Sequence, residues 1–378
     1  MSMRLQGPIS DRGRAPVFVV GSARSGTTLL YDTLLSAGGF AIYLGESNIF
    51  NLLAPRFGDL RVRRNRERML KVWLGSRLFR VSGLERQQIE EKFEHCQNAG
   101  DFLRVVMGEL ARQQNAWRWA ANAPEEILHL RHIKETIPEA LIIHVIRDGR
   151  DVGVSLSEKR YIRPFPWKDR ETPEGAALYW EWIVQRGRAV GALFGKDYTE
   201  VRFEELVRDP RTVLQRLSGF LDHDLDYDRI QKTAIGAVSR PNTSFSAQGQ
   251  RDFNPVARWQ KQLTARQLTR IEGLVGETLS ELGYNRATPG RAACNKIGLA
   301  WSRLLYRTFF ELKYHSKKSR FLRLLRPAIT SQQVDQIVVV DDRANAHASA
   351  HRKELSAFPP QPLGATASIE EETMARHS

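Results

Sequence analysis

Cysteine is nearly missing from these 378 residues: Cys96 and Cys294 are the only two. They are too few and too far apart for a disulfide framework or a thiolate zinc site, and a reducing, cytoplasmic compartment is the natural reading. Long apolar runs are missing as well. Residues 1–20 hold no stretch suited to a signal-peptide core, and no window approaches the roughly 18 uninterrupted apolar residues of a spanning helix. Membrane contact, if made, is peripheral. Acid is also short, with Lys+Arg 57 against Asp+Glu 43 and a formal net charge of +14. The apolar content, 42%, is that of an ordinary globular chain and excludes disorder as a whole. The length suits one large α/β domain or two modest ones.

The charge is uneven. From Lys296 to Arg326 nine basic residues face Glu311 alone, a local net of +8. Beyond Pro327 four basic residues meet seven acidic ones, a net of −3. The first 295 residues therefore carry +9. Two questions follow: why the body is basic, and why the late segment is more so.

Val17 to Val20 is a β-branched and aromatic run that ends in Gly21, and a helical pattern through Leu29, Leu30, Thr33 and Leu34 follows. This predicts strand, tight loop and helix. Leu141 to Ile146 is apolar almost throughout, as in a strand covered on both faces of a parallel sheet, and it too ends in a charged turn before a helical pattern. Tyr198 to Phe203 predicts a third strand. Between the first two strands, residues from about Phe50 to Pro138 read as mostly helical, and their Arg61-to-Arg68 stretch as a solvated helix face. Residues 240–255 read as loop. Strands alternating with helices predict an α/β fold, a P-loop-type central parallel sheet flanked by helices, with a helical insert and a basic C-terminal extension. The expected organisation is a flexible N-terminus at 1–15, the main domain at 16–290, a basic amphipathic helical segment at 291–330 and a mostly disordered tail at 331–378.

Gly21-Ser-Ala-Arg-Ser-Gly-Thr-Thr28 lies between strand and helix, where backbone N–H groups and the helix dipole cradle anions. Its glycines have P-loop spacing, yet Thr27 stands where a nucleoside triphosphatase carries its phosphate-binding lysine. Arg24 supplies a cation inside the loop instead. Downstream, Arg147 closes the second strand and Ser155 follows eight residues on, a pair able to hold a second phosphate by a charge-assisted bond and a hydroxyl. The plainer reading is an ordinary salt-bridged arginine and a serine near a helix start. Taken together, the two units point to a nucleotide phosphorylated at both ends.

These motifs, with the Tyr198-to-Pro210 stretch and Arg258-Trp259 before a helix ending in Leu-Gly-Tyr284, resemble those of the PAPS-dependent sulfotransferases. The chain is most similar to the branch that includes the tyrosylprotein sulfotransferases and many bacterial enzymes. The resemblance runs from about Pro16 to Tyr284. It implies that 3′-phosphoadenosine 5′-phosphosulfate (PAPS) is the sulfuryl donor. Ser22, Arg24, Ser25, Gly26, Thr27 and Thr28 would hold its 5′-phosphosulfate, and Arg147 with Ser155 its 3′-phosphate. Arg258 would also approach the nucleotide. In that branch a Gly-Glu pair carries the catalytic base, which nominates Glu46 in Tyr43-Leu-Gly-Glu-Ser-Asn48. The plainer reading of Glu46 is a helix-start carboxylate that complements a dipole.

His144, inside an apolar strand, reads as core, and His129 and His132 as helix surface. Where relatives commonly carry a lysine that steadies the bridging oxygen, this chain has Asn122-Ala123-Pro124, so that role passes to Arg24 or to another cation. No metal is required. The acceptor is a hydroxyl that the sequence leaves open among glycan, lipid headgroup, tyrosine and small molecule. The helical insert after Phe50, the Tyr161-to-Trp167 segment with Arg160 and Arg163, and the late segment are the regions expected to meet it. Trp301, Leu304, Leu305, Phe309 and Leu312 recur at helical spacing, with Arg303 and Arg307 four apart on a flank, so residues 296–326 read either as an acidic-membrane surface element or as a packed helix with a solvated basic face. Nucleic acid is a weaker third use, for no base-reading module accompanies the charge. The remaining alternatives are a kinase-like P-loop phosphotransferase, disfavoured by Thr27, and a catalytically weak nucleotide-binding protein at the membrane.

Overall fold

Five residues, Val17–Gly21, form the central strand β1, and every one of them is buried. Alternate side chains feed two apolar layers: Phe18 and Val20 face one, Val17 and Val19 the other. The computed structural model describes residues 9–159, 172–239, 254–288, 296–318 and 329–337. The 160–167 segment, residues 240–253 of the loop, residues 319–326 of the basic segment and the tail beyond 337 lie outside the described residues.

The chain opens with α1 (Asp11–Arg14), then runs through β1, α2 (Thr27–Ser36) and the short β2 (Phe40–Ala41). The helical insert follows as α3 (Ala54–Phe57), α4 (Arg63–Leu74), α5 (Arg77–Ser82), α6 (Arg86–Phe93) and α7 (Ala99–Gln113). Next come β3 (Arg118–Asn122), α8 (Leu130–Thr136), β4 (Leu141–Ile146), α9 (Gly149–Lys159), α10 (Pro173–Gly191) and β5 (Tyr198–Arg202). The remainder is helical: α11 (Phe203–Arg208), α12 (Pro210–Leu221), α13 (Tyr227–Thr233), α14 (Trp259–Gln262), α15 (Ala265–Glu281), α16 (Lys296–Lys318) and α17 (Ser331–Ile337).

All strand pairings are parallel, in the order β2-β3-β1-β4-β5. One apolar layer joins Phe18, Val20, Ile142 and Ile146 to α7, α9, α10 and α15, and the other joins Val19, Ile143 and Val145 to α2, α12 and α13. The expected α/β architecture is what the chain adopts. From β1 the chain moves outward to β2 and returns to β3, whereas β4 leads to β5 on the other side. The crevice at the carboxyl ends of β1 and β4 is therefore the topological switch point, where open α/β sheets bind ligands.

The stretch from Phe50 to Pro138 is mostly helical, as expected, and strand β3 is the one strand within it. Its sequence, Arg-Trp-Ala-Ala-Asn, has no β-branched residue and begins with an arginine. That arginine is only 1% exposed. Its guanidinium donates to the carbonyls of Ala15, Leu221 and Arg12 at 2.6, 2.9 and 2.9 Å and lies over the Phe40 ring. A charge so satisfied is tolerated in a core.

Both ends of the described chain are held more firmly than composition suggested. Ser10 caps α1, and Arg12 donates to the Phe220 carbonyl and pairs with Asp197 at 3.1 Å. Near the other end Ile329 and Val334 are buried, and the Asp335 carboxylate accepts from the Arg77 N–H at 2.6 Å. The segment assigned to the tail thus starts with a packed helix.

Candidate active site

The loop after β1 owes its shape to two left-handed residues, Arg24 (φ 70°) and Gly26 (φ 92°). The first is a strained choice for a side chain, of the kind that concentrates at functional sites. The second has no substitute, because a Cβ on Gly26 would stand 2.2 Å from Cδ2 of Phe203. The Ser25 N–H closes a turn on the Ser22 carbonyl at 3.1 Å, and Leu30 bonds back to Gly26 to start α2. Ser22, Ser25 and Thr27 are buried and Thr28 is exposed. The Ser25 hydroxyl is buried with no hydrogen-bond partner.

The second anion motif arrives from β4 and α9. Arg147 is buried. It donates to the Arg24 carbonyl at 3.0 Å and to the Pro255 carbonyl, with its guanidinium carbon 4.5 Å above the Phe203 ring. Its Nε is buried and unpartnered. Burial holds the guanidinium below its ordinary pKa, a shift that the charges of Asp151 and Glu204 oppose. Ser155 is wholly buried, and its hydroxyl accepts from Nε of Arg24 at 3.0 Å. Two motifs that stand more than a hundred residues apart are thus in direct contact.

Asp151 completes the crevice. Its carboxylate lies 3.8 Å from Arg147 and accepts from the N–H groups of Ala257 and Trp259, each at 2.9 Å. This ties the late loop to α9 with Arg258 between the two anchors, and Arg258 stands 3.7 Å from Glu158 on the same helix. Burial pushes Asp151 up to about 6 despite Arg147.

Glu46 occupies the other side of the loop. The Ser47 N–H donates to the Asn122 carbonyl at 3.3 Å, which sets the Glu46 turn at the carboxyl end of β3. Asn122 pairs in register with Val19 of β1. Along the sheet edge the order is therefore Glu46, phosphate loop, Arg147. Asn48, left-handed at φ 46°, donates to the Glu46 carboxylate at 3.2 Å. Burial, with some help from the charge of Glu125, pushes Glu46 up to about 7.

Beneath it Glu126 is wholly buried and accepts from the Ser47 hydroxyl and the Phe50 N–H, both at 3.2 Å. Its second oxygen has no hydrogen-bond partner. Burial and the nearby charge of Glu46 push it up to about 7 as well. Asn122 is buried, with an unpartnered side-chain oxygen. His144 is core, as expected, with Nδ1 2.7 Å from the Tyr198 hydroxyl and burial pushing it down to about 3. Among the described residues no cluster of acids, histidines and cysteines is suited to a metal.

A family model described as the sulfotransferase family matches residues 16–227, more than half of the chain. The chain belongs to that family. No curated protein sequence matches it. Among solved structures it is similar to the sulfotransferase domain of the Synechococcus PCC 7002 olefin synthase, at 18% identity and TM-score 0.46 over 79% of this chain and 98% of that one. The sulfotransferase domain of the curacin biosynthetic pathway gives 13% identity and TM-score 0.48 over 72% and 98%. The sulfotransferase STF9 of Mycobacterium avium gives 15% and 0.41 over 75% and 79%.

For a sulfotransferase the crevice has the right chemistry. Two arginines, loop amides at a helix start and the unpartnered Ser25 hydroxyl and Arg147 Nε are donors suited to phosphate and sulfate oxygens. Three residues that shape this crevice carry little or no signal in the sequence. Asp151 had a signal, its i,i+4 spacing from Arg147. Glu126 had a weaker one, the acidic pair after Pro124. Phe203 had none.

Proposed function

We propose that this sulfotransferase moves the sulfuryl group of PAPS onto a hydroxyl of a glycan, lipid headgroup, tyrosine or small molecule. The observation that carries the reading is the contact of Arg24 with Ser155 and of Arg147 with the Arg24 carbonyl. It makes one crevice with two cationic ends, suited to a nucleotide phosphorylated at both the 5′ and 3′ positions. Ser22, Ser25, Gly26, Thr27 and Thr28 hold the 5′ end through loop amides and hydroxyls, and Arg24 of the same loop reaches across to Ser155. Arg147 and Ser155 hold the 3′ end, and Arg258 closes over it from the loop that Asp151 anchors.

When bound, PAPS supplies a sulfuryl group on a phosphate oxygen that leaves as an anion. Glu46 takes the acceptor hydroxyl's proton as that oxygen bonds to sulfur and the sulfur–oxygen bond to the 5′-phosphate breaks. A carboxyl poised at about 7 is well matched to that task near neutral pH. Charge developing on the leaving oxygen falls to Arg24 and the loop N–H groups, which are already oriented before substrate arrives. Asn122 offers no cation, so Arg24 carries the part that a lysine plays in relatives. The scheme needs no metal.

Calorimetric titration with PAP (adenosine 3′,5′-bisphosphate) and, separately, with ATP and magnesium tests the donor site. Tight PAP binding with weak ATP binding is expected, and the reverse would reassign the chain to phosphoryl transfer. A labelled-PAPS screen against fractionated cell extract then identifies the acceptor.

A further inference from the structure

The family match ends at residue 227, and α16 lies well beyond it. This helix has two faces. Inward, Phe310 and Tyr314 pack against Tyr179 and Trp182 of α10, with ring centroids 5.3 to 6.1 Å apart, and Tyr306 packs on Phe310 at 5.9 Å. Outward, Ile297, Trp301, Leu304, Leu305 and Leu312 are each at least half exposed, reaching 74% for Ile297. They recur at helical spacing over about 22 Å at 1.5 Å per residue. Most of the large apolar side chains exposed in the described residues belong to this one stripe.

Charge is sorted between the same faces. Glu311, the helix's single acid, turns inward, where it accepts from both Arg186 at 2.8 Å and Trp182 Nε1 at 2.7 Å. Arg303 also turns inward, to Glu181 at 2.9 Å and Glu277 at 3.2 Å. This removes it from the outward basic flank that its spacing with Arg307 suggested. Arg307 and Lys313 are exposed beside the stripe. The sequence from Lys317 to Arg326 adds five basic residues and no acid.

An apolar stripe bordered by charge of one sign selects its partner. Two copies pressed face to face would bring Arg307 and Lys313 of both helices to one interface while Glu311, the single acid of α16, is turned inward, and like charges brought together oppose such pairing. A bilayer surface with anionic headgroups satisfies both features, taking the stripe into the acyl boundary and the basic residues at the headgroups. We infer that the outward face of α16 is a docking surface for an anionic lipid bilayer, with Trp301, Leu304 and Leu305 at its centre. The inference stands independently of the donor and base assignments.

Flotation of the full chain with phosphatidylcholine vesicles, with and without phosphatidylserine, is the test. The wild-type chain floats with the anionic vesicles, less at high salt, and Leu304→Glu/Leu305→Glu lowers that binding more than tenfold while PAP affinity and melting temperature stay unchanged. Should that variant misfold, Arg307→Glu serves the same purpose with a smaller loss. A wild-type chain that stays in solution with both vesicles overturns the inference, as does a folded double variant that floats undiminished. If light scattering shows a dimer that the double variant dissociates, and lipid binding is absent, the face belongs to a second copy and the lipid assignment is wrong.

Discussion

The phosphate crevice and the outer face of α16 are both rich in arginine and lysine, yet they hold their charge in opposite ways. Arg147 and Arg150 at the crevice are 3% and 2% exposed. Arg150 is fixed by Asp148 at 2.7 Å and Glu272 at 2.6 Å. Arg147, held by the Arg24 and Pro255 carbonyls, is oriented before any anion arrives, so little reorganisation would oppose binding, whereas Arg150 spends its charge on its two carboxylates. On α16 the outward cations sit at the water boundary, where ions screen them and no single geometry is imposed. A buried, oriented arginine is suited to one anion of matching shape, whereas displayed ones are suited to a class of surfaces reached by field. Net charge alone cannot tell these uses apart; burial does.

The largest effect that would sharpen this contrast concerns the group beside the crevice that carries no positive charge. Glu46→Gln should lower turnover by roughly 10² to 10⁴ with PAP affinity unchanged. The wild-type rate should rise with pH through about 7, since the carboxyl must ionise to accept a proton. Full turnover in the variant would remove Glu46 as base.

Next, Arg147→Lys keeps the charge but loses the planar fork, and PAP affinity should fall by about 10². Arg307→Ala on α16 should leave PAP binding unchanged, and equal losses in the two variants would erase the distinction between the regions.

Glu126→Gln probes burial itself. A carboxyl whose folded pKa lies above its unfolded value destabilises the fold when ionised. That cost is absent below the ordinary value of 4.5 and grows as pH rises through about 7. The glutamine variant should therefore match wild type in acid and exceed it by on the order of 2 kcal/mol above neutrality, read by denaturant unfolding across pH. A stability gap that does not vary with pH would contradict the assignment.

The smallest effect is that of Ser155→Ala, where loss of one hydroxyl should weaken PAP binding about tenfold or less by calorimetry. A loss matching that of Arg147→Lys would mean that Ser155 also governs the pose of Arg24.

Strands β1 and β4 were legible because apolar runs end in glycine or charge, β5 because Tyr198, Thr199 and Val201 are strand-favouring residues, and the phosphate loop because its spacing is dictated by backbone geometry. Strand β3 was not, since Arg118 and Asn122 bound it and what makes Arg118 a core residue is three carbonyls from two distant segments. Arg24, Arg147 and Ser155 could be nominated one at a time, but their mutual contact depends on sheet order, which no local pattern encodes. The support under Glu46 was hidden for the same reason: Glu126 reaches it across 76 residues of chain to Phe50 and 79 to Ser47. On α16 helical spacing marked Trp301, Leu304, Leu305 and Leu312 of the exposed stripe, but Phe309 packs on the core beside Phe310, and the inward turn of Arg303 and Glu311 depends on partners in α10 and α15.

The Phe203 ring has a consequence for energetics. One aromatic side chain sets the closeness of approach at Gly26 and carries the guanidinium of Arg147 on its face. The two halves of the proposed nucleotide site therefore share a mechanical part, and a displacement of the ring would disturb both. Adenosine 5′-phosphate and adenosine 3′-phosphate should accordingly bind with free energies that do not sum to that of the bisphosphate. Shortening Phe203 to leucine should bring the sum closer to additive, as two ends once linked through a ring begin to act as separate sites.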